Sequence, residues 1–131
     1  MRKLIFTLII LLVMSSCGTK PTTAIKVTMT DSLFDPVKFI VSAGDEIAFN
    51  ATNTSTIGHD FVIMKLGKSA GPIFGGEDAA NVYWQTEIAP GASMETSFIA
   101  PTEPGEYEVV CSIPGHLQAG MKGQLFVVAD E

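Results

Sequence analysis

The most informative segment of the chain is Cys111-Ser112-Ile113-Pro114-Gly115-His116-Leu117-Gln118-Ala119-Gly120-Met121. It places a thiol, an imidazole and a thioether at intervals of five residues. Pro114, Gly115 and Gly120 allow a short loop to curl, so that the three side chains can converge on one point. We therefore expect this segment to be a ligand loop between two strands.

His59 is a fourth candidate ligand, because it begins the apolar segment His59–Met64 after a polar loop. Two histidines, one cysteine and a weak axial methionine form the soft donor set of blue-copper electron-transfer sites. Zinc is the alternative ion, but it prefers four strong ligands and makes little use of a thioether. Any one of these residues alone is more often a packed side chain. Their joint spacing predicts one copper ion bound by His59, Cys111, His116 and Met121.

The rest of the chain consists of short runs that alternate apolar and polar residues, with turn residues between most of them. This pattern predicts an all-β protein, an antiparallel sandwich or barrel of seven to eight strands. Residues 66–82 are rich in Gly and Ala, and we expect them to form a long excursion with one helical turn at Glu77–Val82. The predicted strands include Ile25–Met29, Val37–Val41, Ile47–Ala51, His59–Met64, Met94–Ile99, Tyr107–Cys111 and Gln124–Val128.

Residues 1–16 have the pattern of a secretory signal peptide. Arg2 and Lys3 precede the mostly apolar run Leu4–Met14, which is shorter than the roughly 20 apolar residues that a membrane-spanning helix needs. The position of Cys17 after two serines resembles the cleavage site of a bacterial lipoprotein, in which the cysteine carries the lipid. The alternative is a soluble exported protein with a chance cysteine.

This pattern predicts a lipoprotein-type signal peptide at 1–16, a tether at 17–24 and one domain at 25–131. Lipid on Cys17 would anchor the domain in the bacterial periplasm or cell envelope.

With 47% hydrophobic and 17% charged residues, the chain has the composition of a folded domain. Without residues 1–16, six basic residues remain against fourteen acidic ones, a net charge of −8. Such a surface disfavours nucleic acid, and we expect a monomer.

The chain resembles the cupredoxins, the family of plastocyanin and azurin, and is most similar to the auracyanins. The resemblance implies a Greek-key β-sandwich with copper near one end, and it implies the same four ligands. It also implies a weak contact from the carbonyl of Gly58. The matching residues are Ala43–Asp45, Gly58–Val62, Pro104–Tyr107, Cys111–His116, Ala119–Gly123 and Leu125.

Two departures from the family pattern affect the site. Asp60 stands where the family usually has an asparagine whose side chain ties the two ligand loops together. We still expect the backbone N–H groups of Asp60 and Ile113 to donate to the Cys111 sulfur. The disulfide of azurin is absent, because the chain has only two cysteines and Cys17 is assigned to the lipid.

The site and the resemblance predict a one-electron carrier rather than an enzyme. His116 lies on the loop and is expected to reach the surface, where an apolar docking patch would receive redox proteins such as cytochromes or a terminal reductase or oxidase. A copper buffer or copper-delivery protein is the main alternative. An enzyme with Cys111 as nucleophile is a third possibility, but it leaves Met121 unexplained. The patch consists of Ile57, Ile113, Pro114 and Leu117.

Overall fold

The structure is a computed structural model that describes residues 20–130. The predicted signal peptide and Cys17 lie outside the described residues. Within them, no helix is both long enough and apolar enough to cross a membrane. The elements are β1 (Ala24–Met29), β2 (Phe34–Asp35), β3 (Lys38–Ser42), β4 (Glu46–Asn53), β5 (His59–Met64), α1 (Gly76–Ala79), β6 (Val82–Ile88), β7 (Ser93–Ile99), β8 (Gly105–Val110) and β9 (Lys122–Val128).

The strands form two sheets, with the orders β2-β1-β4-β7 and β3-β9-β8-β5-β6. The predicted Greek-key sandwich is confirmed. The sheets are not purely antiparallel as predicted: both are mixed, because β1 pairs with β4 and β3 with β9 in parallel, whereas the other pairs are antiparallel. Alternation of apolar and polar residues shows which side of a strand faces the core. It does not show whether the neighbouring strand runs parallel or antiparallel.

The strand count differs from the prediction because the two-residue β2 and the edge strand β6 are added. Ala24, the last residue of the predicted tether, belongs to β1. The N–H of Thr22 also donates to the Ile40 carbonyl at 2.9 Å. The folded domain therefore begins before residue 25.

An aromatic cluster centred on Phe61 fills the space between the sheets. The rings of Phe34, Phe39 and Phe49 lie 5.3, 5.4 and 4.8 Å from that of Phe61, in the edge-to-face and tilted arrangements that aromatic pairs favour. Phe61 is fully buried in β5, two residues after His59. The cluster therefore anchors the strand that begins with the first predicted ligand.

The excursion between β5 and β6 packs on the outer side of the second sheet. Its helix α1 covers 76–79, slightly before the expected turn. The carboxylate of Asp78 accepts hydrogen bonds from the N–H groups of Gly71 and Gly75, at 3.2 and 2.8 Å. Apolar residues of the excursion join a second, smaller hydrophobic cluster made of Val62, Met64, Val110, Ala70, Phe74, Val82 and Leu117.

Candidate metal centre

The ligand loop is closed by backbone hydrogen bonds at both ends. The N–H of Cys111 donates to the Met121 carbonyl at 3.1 Å, and the N–H of Met121 donates to the His116 carbonyl at 3.0 Å. Gly115 and Gly120 adopt left-handed φ angles of 88° and 98°, which side chains with a Cβ rarely tolerate. The turn residues identified in the sequence therefore do shape this loop.

Three of the predicted ligands meet at one point. Nδ1 of His116 lies 3.1 Å from Nδ1 of His59 and 3.3 Å from the Cys111 sulfur, and the sulfur lies 3.8 Å from Nδ1 of His59. Donor atoms bound to one ion at about 2.0–2.3 Å lie about 3–4 Å apart. The separations therefore fit a single metal ion held by two imidazoles and a thiolate.

Met121 and Gly58 are close in sequence to these three ligands. Met121 is fully buried, and its backbone hydrogen bonds join it to both Cys111 and His116. Gly58 precedes His59 and is half-buried. A Cβ added at Gly58 would have its nearest neighbour at 3.8 Å, so steric crowding does not require a glycine there.

Burial controls the chemistry of Cys111. It raises the pKa of the thiol to about 12, while hydrogen bonds from the backbone N–H groups of Asp60 and Ile113 act in the opposite direction. Those two donors stabilise negative charge on the sulfur. The metal-free site therefore holds a thiol. The two backbone donors are in place to stabilise the thiolate that a metal requires.

His59 is fully buried, and burial lowers the pKa of its imidazole. The nearby His116 lowers it further, whereas the carboxylates of Asp31 and Asp60 act in the opposite direction. The pKa shift favours the neutral ring, which is the form that binds a metal.

Asp60 joins the two segments that carry the ligands. One of its carboxylate oxygens accepts the N–H of Ser112 at 2.6 Å, and the other accepts the Ser112 hydroxyl. Ser112 follows Cys111 directly, and Asp60 follows His59. The acidic side chain therefore makes the connection between ligand loops that the resemblance assigns to an asparagine.

The predicted docking patch is divided between surface and core. Ile57 is 43% exposed, Pro114 is exposed and His116 is half-buried. Ile113 packs against the main core, and Leu117 packs against the second hydrophobic cluster. Of the four residues of the predicted patch, Ile57 and Pro114 are therefore the two with exposed side chains.

The sequence reasoning missed two buried polar residues behind His59. Nε2 of His59 lies 2.9 Å from the Ser55 hydroxyl oxygen, which itself lies 2.8 Å from Oδ1 of Asn53. A signal was present, because Asn53 continues the inward-facing series of apolar residues in β4. A polar side chain at an inward position needs buried partners.

A buried two-histidine, one-cysteine cluster at one end of a Greek-key sandwich defines a class of small copper-binding protein. A family model of copper binding proteins, the plastocyanin/azurin family, matches residues 21–128. The chain belongs to this family, and copper is its metal.

Individual relatives agree with this assignment. Reduced auracyanin from Roseiflexus castenholzii shares 30% identity with a TM-score of 0.69, over 83% of this chain and 99% of that one. Auracyanin A from Chloroflexus aurantiacus shares 26% with a TM-score of 0.66, over 83% and 100%. The copper-resistant cuproprotein CopI of Rubrivivax gelatinosus is 33% identical over 112 residues, which span 79% of this chain and 65% of CopI.

The pKa of Cys111 predicts that metal binding releases a proton. With a pKa of about 12, the thiol stays protonated from about pH 7 to pH 9, and Zn²⁺ must displace that proton. We expect the Zn²⁺ dissociation constant to fall about tenfold for each pH unit in this range. Competition with a chromophoric chelator at three pH values measures it.

The control for this titration is Cys111→Ser, which removes the ionising thiol. Its weaker zinc binding should lose this pH dependence. A flat profile for the unmodified protein would mean that the metal-free site already holds a thiolate.

Proposed function

We propose that the protein is a blue-copper electron carrier and has no enzymatic activity. Its bound copper supplies a one-electron couple between Cu(I) and Cu(II). The observation that carries the proposal is the unequal burial of the donors, because Cys111 and His59 are fully buried while His116 is half-buried. One ligand therefore connects the enclosed cluster to the surface.

The surrounding residues favour electron transfer because they hold the donors in place. Hydrogen bonds close the ligand loop between Cys111 and Met121, and Asp60 ties this loop to β5 through Ser112. Donors fixed by such contacts need to move little when the charge of the site changes. This rigidity supports rapid electron exchange.

We further propose that the domain is exported and anchored at the bacterial envelope. The support comes from the sequence pattern of residues 1–16 and from Cys17, which would carry the lipid. Of the predicted tether 17–24, residues 17–21 would then link the anchor to the domain, because Thr22 is already hydrogen-bonded to Ile40.

Ile57 and Pro114 are the proposed contact points for a redox partner such as a cytochrome or a terminal reductase or oxidase. Each lies in a loop that precedes a histidine ligand, and both are exposed. Without residues 1–16 the net charge is −8, which suits a partner with a basic face.

We expect Ile57→Gln to slow electron transfer to a cytochrome about fivefold, because it removes apolar contact area worth about 1 kcal/mol. The substitution adds no charge, so the visible spectrum and the reduction potential should not change. Stopped-flow mixing with an oxidised cytochrome measures the rate. Ile73→Gln is the matched control, because Ile73 is 65% exposed and lies on the excursion. Equal slowing by both variants would exclude a specific contact at Ile57.

The charge of Asp60 predicts a second measurable effect. We expect Asp60→Asn to raise the reduction potential by about 40–90 mV, since removing about 1–2 kcal/mol of electrostatic stabilisation disfavours the oxidised site. Redox titration followed by absorbance measures it. Glu87→Gln is the control, because Glu87 on β6 lies opposite Asp60 on β5 in the strand register but is exposed. An equal shift in both variants would assign the effect to net charge alone.

A copper buffer or delivery protein is the second candidate function. It is favoured by the similarity to CopI, which is named as a copper-resistant cuproprotein. The two functions differ in whether electrons or copper move. We expect the copper-loaded protein to exchange electrons with a cytochrome much faster than it releases copper to a chelator. Rapid copper release with slow electron exchange would favour delivery.

A further inference from the structure

A buried hydrogen-bonded pair lies behind the first histidine ligand. Asn53 at the end of β4 is 1% exposed, Ser55 is 6% exposed, and His59 is fully buried. Ser55 contacts the edge of the imidazole that faces away from Cys111, and Asn53 contacts Ser55. Because water has little access, the hydrogen bonds among these groups must be satisfied within the protein.

The orientation of the Asn53 amide follows from its neighbours. Its Nδ2 lies 2.8, 3.2 and 3.1 Å from the carbonyl oxygens of Ile57, Ile88 and Ala89. Carbonyl oxygens only accept hydrogen bonds, so the amide nitrogen must be on this side. Oδ1 then faces Ser55 and accepts its backbone N–H at 2.9 Å.

The Ser55 hydroxyl has one hydrogen and four polar neighbours, and one of these, the backbone N–H of Ile57, donates to the hydroxyl oxygen at 3.3 Å. Its oxygen lies 2.8 Å from Oδ1 of Asn53, 2.9 Å from the Ile57 carbonyl and 2.9 Å from Nε2 of His59. The Asn53 and Ile57 oxygens can only accept, so the arrangement favours giving the hydrogen to one of them. The oxygen then presents a lone pair to His59, and Nε2 must carry the proton of the neutral ring.

We infer that Asn53 and Ser55 fix His59 as the tautomer protonated at Nε2, which leaves Nδ1 bare toward the metal site. Nδ1 is the nitrogen that lies 3.1 Å from Nδ1 of His116 and 3.8 Å from the Cys111 sulfur. Ser55 is thus a positioning residue that acts through His59, and the inference rests on the proposed role of His59 as a ligand.

The opposite tautomer would place a proton on the nitrogen that faces the metal site and would change the hydrogen bonds of Ser55. A proton on Nδ1 would point into the donor cluster, and Nε2 would need the Ser55 hydrogen. Ser55 would then have no hydrogen left to donate to Asn53 or Ile57. Because partners of metal-ligating histidines typically change metal affinity ten- to hundredfold, the loss of Ser55 should be measurable.

The direct test is nitrogen-15 NMR of the metal-free protein at about pH 8, above the ordinary imidazole range. Two-bond proton–nitrogen correlations report which ring nitrogen carries the proton. We expect the His59 pattern of a protonated Nε2 and a bare Nδ1. A dominant Nδ1-protonated form would overturn the inference, and this measurement needs neither copper nor a redox partner.

The variant test compares Ser55→Ala with Thr54→Ala. Ser55→Ala should give a mixture of His59 tautomers and weaken Zn²⁺ binding about ten- to hundredfold. Thr54 is the matched control, because its hydroxyl donates to the Met29 carbonyl at 3.1 Å, and Thr54→Ala should change neither property. An unchanged tautomer in Ser55→Ala would overturn the inference. Should Ser55→Ala not fold, the spectrum of the unmodified protein still decides.

These measurements distinguish a failure of the inference from a failure of the proposed electron-carrier function. If the protein delivers copper instead of carrying electrons, the His59 tautomer and the effect of Ser55→Ala on zinc affinity stay as inferred. Only the electron-exchange rate would then contradict the carrier role.

Discussion

Cys111→Ser is expected to abolish the intense visible colour of the copper-loaded protein. The colour of a blue-copper site depends on the bond between copper and thiolate, and a serine hydroxyl does not replace that soft ligand. Copper affinity should fall by more than the ten- to hundredfold loss that follows removal of an outer hydrogen-bond partner. Absorbance and paramagnetic resonance after addition of Cu²⁺ measure both effects.

Cys17→Ser is the matched control, since Cys17 and Cys111 are the two cysteines of the chain. The control should keep the colour and the copper affinity, because Cys17 is assigned to the lipid. If Cys111→Ser stayed blue, the ion would be bound elsewhere and the assigned ligand set would be wrong.

Gly123→Ala is expected to destabilise the metal-free protein by about 2–4 kcal/mol. A Cβ at this position would lie 2.6 Å from the carbonyl oxygen of Val37, a backbone atom that cannot turn aside. The adjacent N–H of Gln124 donates to that same oxygen at 2.8 Å. Relief of the clash would therefore separate β9 from the segment before β3 and strain this hydrogen bond. Denaturant unfolding followed by Trp84 fluorescence measures the loss.

Gly76→Ala provides the comparison for this substitution. A Cβ at Gly76 meets no atom within 4 Å, and the residue lies in helix α1. Alanine should leave stability unchanged or raise it by up to about 1 kcal/mol. Similar stability of the two variants would show that the backbone around Val37 can move away from the added Cβ without lowering the free energy of unfolding.

The ligand loop was predictable because its geometry is largely local. Pro114, Gly115 and Gly120 set its turns, and the spacing from Cys111 through His116 to Met121 suits the chemistry of copper. The sandwich was predictable from the alternation of apolar and polar residues. The resemblance to cupredoxins added the Greek-key topology, and the family match over residues 21–128 agrees with it.

Strand β6 was not predicted from the sequence. Its residues Val82, Trp84, Thr86 and Ile88 alternate with more exposed ones, but the predicted excursion ended at residue 82 and no strand was assigned to 83–88. Leu117 shows a similar limit. Its place in the loop indicated the surface, whereas Phe74 and Val110 help to form the cluster that partly covers it.

The copper chemistry and the sandwich class could be predicted from the sequence, because turn residues, strand alternation and ligand spacing act over a few neighbouring residues. The parallel strand pairs and the groups behind His59 became visible in the folded structure. The amide of Asn53, for example, contacts the carbonyl of Ile88, 35 positions along the chain. Such contacts depend on how separate strands stack, which no local pattern specifies.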